Sequence, residues 1–138
     1  MPRVAMIEWL DPLFAPGHWV PQMVQFAGGR NLVGTPGLPS RQLSWDDVLD
    51  LDPDVLFVEP CGFDLDQAAA DAGRHRQRLF SLARRAIEAD KAWVLHSAWF
   101  SRSGPRIVEG IETLARLLHP ASFDTPADGA IARKWRNS

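Results

Sequence analysis

The chain is expected to fold as one α/β domain in three layers, α/β/α, around a mainly parallel sheet. Three observations predict this. Short strand-like apolar runs alternate with segments of helical period along most of the chain. The run Val55–Val58, set between Asp52-Pro53 and Glu59-Pro60, is apolar at every position, as a strand covered on both faces must be. At 138 residues, with 46% hydrophobic and 23% charged residues, the chain has the size and composition of a single globular domain.

The elements follow in order. Val4 to Trp9 reads as a strand, and the loop Leu10 to Gly17 carries turn signals at Asp11-Pro12, Pro16 and Gly17. Trp19, Val20, Met23, Val24 and Ala27 recur at helical spacing, and Gly28-Gly29 ends that helix. Asn31 to Val33 is a short strand, followed by a Pro/Gly-rich loop from Gly34 to Arg41. Ser44, with Asp47 three residues on, predicts a capped helix start, and the buried strand Val55–Val58 follows. Asp64 to Ala72 and Arg74 to Asp90 read as two helices separated by Gly73. Ala92 to His96 is a further strand, and Pro105 opens a helix whose apolar face is Ile107, Val108, Ile111, Leu114, Ala115 and Leu118. Residues 1–120 therefore form the α/β unit. Residues 121–138 show no sustained period and are expected to be a loosely ordered tail.

Composition excludes several classes. A net charge of −2 gives no electrostatic reason to expect nucleic acid as a partner. One cysteine rules out an internal disulfide, and the four histidines have no metal-ligand spacing, so neither a metal nor a cofactor site is expected. No G-x-G-x-x-G or P-loop pattern is present. No signal peptide is visible, so the chain as written is expected to stay in the cytoplasm.

Right-handed crossovers place every strand-to-helix loop on one edge of a parallel sheet, where open α/β sheets bind ligands. Those loops hold Trp9, Phe14, Trp19, Trp45, Phe63, Trp99 and Phe100, together with Ser40, Arg41, Cys61 and Arg102. So many rings in connections that are ordinarily polar suit a large, flat, partly apolar ligand. They also suit self-association. The bland reading is that Trp9 and Trp19 merely cover the core. Cys61 with His18 or His96 is the alternative, a small thiol enzyme, although Pro60 and Phe63 do not make a nucleophile elbow. A third reading is a lobe that only pairs with a missing partner chain.

With these residues laid out, the chain resembles the C-terminal lobe of a cobalamin-type substrate-binding protein of bacterial ABC importers, the two-lobed class joined by one helix. The resemblance rests on EWLDPLFAPGHW, FAGGRNLVG, LPSRQLSWDDVLDLDPDVL and SAWFSRSGPRI, and runs from about Arg3 to His119. It implies a non-enzymatic binding lobe, periplasmic or cell-surface, whose ligand is a corrinoid or related metal chelate. It implies contacts from Phe14, Trp99, Phe100 and Arg102, and the positions of Trp19, Ser40, Arg41, Cys61 and Phe63 on the same loops make them expected ligand contacts as well. It also implies that Asp46 faces an Arg pocket on the ABC permease. Ser40 stands where related proteins carry a cleft Trp, and Ala98 where an acid precedes the Trp-Phe pair. An N-terminal lobe and a connecting helix are expected partners of such a lobe and are not in this sequence.

Overall fold

The computed structural model describes residues 1–102 and 104–136. In chain order the elements are β1 (Arg3–Ile7), β2 (Trp9–Leu10), β3 (Leu13–Ala15), α1 (Val20–Phe26), β4 (Arg30–Asn31), β5 (Arg41–Gln42) and α2 (Trp45–Val48). They continue with β6 (Val55–Val58), α3 (Leu65–Arg74), α4 (Arg76–Glu88), β7 (Ala92–Leu95), α5 (Arg106–Leu118) and β8 (Ala132–Lys134). The main sheet runs β4-β1-β6-β7-β8, parallel except where β8 joins antiparallel to β7. All four residues of the central strand β6 are buried, as its unbroken apolar run demands.

Alternation along the strands divides the core in two. Ala5, Ile7, Leu56, Val58 and Val94 face Ala68 and Ala72 of α3 and Leu79, Leu82 and Ala86 of α4. Val4, Met6, Val55, Phe57 and Leu95 face Met23 and Val24 of α1 and Leu114 and Leu118 of α5. The result is a three-layer α/β/α fold with a mostly parallel sheet.

Three features depart from the sequence expectation. The stretch after β1 is not a plain loop: β2, β3 and β5 form a small antiparallel sheet beyond the ends of the main strands. Its strands are two or three residues long, too short for a period-2 pattern to show. The break between α3 and α4 falls at His75 rather than at Gly73, which lies inside α3. The expected loose tail is also corrected. Residues 132–134 pair with β7, and Ile131 and Trp135 are buried on opposite faces of the sheet. Ion pairs from Lys134 and Arg136 to Asp90, at 3.1 and 3.2 Å, fasten the same segment, and these cations hold the Asp90 carboxyl below its ordinary range.

Candidate ligand-binding site

Backbone and side-chain contacts stitch the strand-end loops into one edge. The first loop meets the second where the His18 amide donates to the Leu38 carbonyl at 2.6 Å and the Gly37 amide donates to the His18 carbonyl at 2.9 Å. Gly17 permits that approach, since a Cβ there would run into the backbone of Pro39 and Ser40. The first loop meets the third through the Cys61 amide on the Glu8 carbonyl, at 3.3 Å, and through the Trp9 and Phe63 rings, edge to face at 5.0 Å. The third meets the fourth where the Ser97 amide donates to the Phe63 carbonyl at 3.2 Å. The circle closes where Trp19 Nε1 donates to the Phe100 carbonyl at 2.7 Å.

The loop after β7 is the most constrained. His96 Nδ1 accepts from the Ala98 amide at 3.2 Å and caps a single 3-10 turn, Ser97–Trp99. Trp99 is half-buried and held from three sides: the His96 ring lies edge-on at 5.0 Å, the Arg106 guanidinium sits over its face at 4.8 Å, and its Nε1 donates to Glu109 at 3.2 Å. Gly110 lets α5 close against this loop, because a Cβ there would lie 2.7 Å from the Trp99 carbonyl oxygen. Such a ring is pre-organised rather than free to collapse.

Of the contact residues expected from sequence, Phe14, Trp19, Ser40, Phe63 and Trp99 are half-buried and Arg41, Cys61 and Arg102 exposed, all on these loops. Phe14 lies in the small sheet, opposite Trp9 on one side and Gln42 on the other, next to the Ala15–Arg41 pair. Among the described residues no ring pair joins Phe14 to Trp99, so the two sit on separate loops of the shared edge. Phe100 is corrected: it is 0% exposed and packs in the core between the sheet, α1 and α5. The 3-10 turn rotates successive side chains by about a third of a turn, so Trp99 faces outward and Phe100 inward.

Asp46 and Asp47 separate in role. Asp47 completes the capping box with Ser44, whereas Asp46 is an exposed carboxylate beside the Trp45 ring and Arg78, which stack at 5.6 Å. Cys61 is exposed, and His96 Nδ1 accepts from the Ala98 amide. Among the described residues no group of three or more His, Cys, Asp or Glu could hold a metal ion.

One residue of this edge, Glu59, is absent from the contacts expected from sequence. Glu59 is 0% exposed at the end of β6, and Ser101 Oγ donates to its Oε1 at 2.6 Å. Burial, opposed in part by that hydrogen bond and reinforced by Glu8, pushes its pKa from 4.5 up to about 8. The available signal was an acid directly abutting an all-apolar strand, which reads equally as the start of a turn.

A groove of about 1200 Å³ lies at the opposite, amino edge of the sheet, lined by Met1, Pro2, Trp93, Leu117 and Lys134 among others. None of the strand-to-helix loops reaches it. Several of its charges are paired within the groove, as Arg85 with Asp54 at 3.0 Å and Lys134 with Asp90 at 3.1 Å.

No family model matches the chain. It is 28% identical over 104 residues to the vitamin B12-binding protein of Vibrio cholerae, covering 75% of this chain and 35% of that protein. The chain is homologous to a lobe-sized part of that protein. The solved periplasmic vitamin B12 binding protein of Vibrio cholerae superposes on the chain with a TM-score of 0.68 at 24% identity, covering 88% of this chain and 45% of that one. A periplasmic heme binding protein from Pseudomonas aeruginosa superposes at 0.75 with 21% identity, covering 99% of this chain and 50% of the other. These superpositions establish a shared fold. The chain spans about a third of the length of the curated relative it matches.

Proposed function

We propose that the lobe forms one wall of the solute cleft of an ABC importer's periplasmic binding protein, and that its solute is a corrinoid. One observation carries the reading. A chain related over 104 residues to a vitamin B12-binding protein carries the half-buried rings Phe14, Trp19 and Trp99 on its interlinked strand-end loops. Flat apolar faces suit a macrocycle, and the exposed Arg102 and Arg41 suit its peripheral amide or carboxylate oxygens. Trp19 contributes its ring alone, because its N–H is already committed to the Phe100 carbonyl. Ser40, Cys61 and Phe63 complete the wall, and Asp46 offers an unshielded carboxylate to an Arg pocket on the permease. The role is binding and not catalysis.

A cleft ligand is normally covered over most of its surface, so a second lobe is the natural partner and one wall alone binds weakly. The test is a calorimetric titration with cyanocobalamin up to about 1 mM, with haem as competitor. Saturable binding that is lost in Trp99→Ala supports the reading. Preferential binding of haem would reassign the solute, and no heat from either would remove the proposal.

A further inference from the structure

The end of the central strand carries a group that the cleft chemistry above does not use. Glu59 lies one residue past Val58, on the face of the sheet shared by Phe57 and Phe100. Its Oε1 accepts from Ser101, while its Oε2 is buried with no partner. An unpaired buried oxygen of this kind is costly and rare in a folded protein. Glu8 stands beside it in the parallel register: Ile7 pairs with Val58, and the Glu59 amide donates to the Ile7 carbonyl at 2.8 Å. The other titratable or charged groups on surrounding elements are Cys61 in its own turn, His18 before α1, His96 after β7, and Arg102, Arg106 and Glu109 around the start of α5. Arg106 and Glu109 are engaged with Trp99. Among the described residues, the one charge that raises the Glu59 pKa is Glu8. Ser101 belongs to the loop that presents Trp99 and Arg102.

We propose that Glu59 is a positioning residue that acts as a proton-operated latch on the loop 97–102. Protonated, the acid is neutral, and the loop closes over it with the Ser101 hydroxyl on Oε1. Ionised, it sets a second negative charge beside Glu8 with a single hydroxyl donor to solvate it. A carboxylate so placed draws in water or dislodges what covers it. Ser101 is part of that cover, so hydration moves the loop and carries Trp99 and Arg102 with it. The transition falls in the mildly alkaline range, since burial holds the Glu59 pKa at about 8. The latch is a property of the lobe whatever solute it takes.

The test needs no ligand, so its failure is separate from failure of the corrinoid reading. Tryptophan fluorescence of the whole chain is followed from about pH 6 to about pH 9.5, with circular dichroism to confirm folding. The expected result is a reversible change centred near pH 8, with the protection of residues 97–102, taken relative to the base-catalysed intrinsic exchange rate at each pH, falling about tenfold across it. Glu59→Gln abolishes the transition, and Glu8→Gln lowers its midpoint while keeping it. The Glu8 variant decides the matter if Glu59→Gln does not fold. A flat wild-type profile, a transition that survives in Glu59→Gln, or an unmoved midpoint in Glu8→Gln would each overturn the latch.

Discussion

Replacing Glu59 with Gln separates the charge of this buried acid from its shape. The folded pKa is about 8 against an ordinary value of 4.5. Between those values the folded chain keeps a proton that the unfolded chain has released. Stability therefore falls as pH rises, by about 1.4 kcal/mol per pH unit. The contribution is whole below about pH 4.5 and gone above about pH 8. At pH 7 the deficit is ~3 kcal/mol, a large share of the 5–15 kcal/mol that holds a typical domain together. The Gln side chain keeps an oxygen for Ser101 Oγ and cannot ionise. Urea unfolding of both proteins at several pH values from about 5.5 to 8.5 reads the effect directly. The variant should gain on the wild type by about 1.4 kcal/mol for each unit of pH until the acid has titrated. A difference that stays constant over that range would refute the buried, proton-bearing Glu59.

Other substitutions test the rest of the architecture. Phe100→Ala should cost ~3–5 kcal/mol in chemical denaturation, as a core ring does, whereas Trp99→Ala should cost under about 2 kcal/mol. Equal costs would contradict the outward and inward placing of the pair. Trp135→Ala should also cost ~3–5 kcal/mol, and a negligible change in melting temperature would return the C-terminal segment to a loose tail. Ser44→Ala should remove about 1 kcal/mol of stability through its capping box. Asp46→Ala should stay within about 0.5 kcal/mol of wild type, and a larger loss would mean that Asp46 serves the helix rather than an outside partner.

The parallel core was legible because its signals are redundant. Val55–Val58 is apolar throughout, Ser44 and Asp47 mark a capped start, and the α5 stripe repeats over three turns, although Val108, counted in that stripe, is exposed. The small sheet and β8 were not legible, since pairing partners two or three residues long leave no period to count. For the candidate site, the sequence located the edge better than the orientation of its side chains. It grouped the right loops, because crossover handedness alone puts them together. It misjudged Phe100, because the single 3-10 turn that His96 caps is too short to leave a period in the sequence. It passed over Glu59, because burial of a single acid depends on what folds across it, and that is Ser101, 42 residues away.

The claim at the centre of this account is that the carboxyl edge of the sheet, and not the groove at its amino edge, receives the solute. Amide hydrogen exchange with and without cyanocobalamin separates the two edges in one measurement. Slowed exchange should appear in the segments around Phe14 to Trp19, Ser40 to Arg41, Cys61 to Phe63 and Trp99 to Arg102. Protection confined to the segments around Met1, Trp93 and Leu117, or no protection at all, would contradict it.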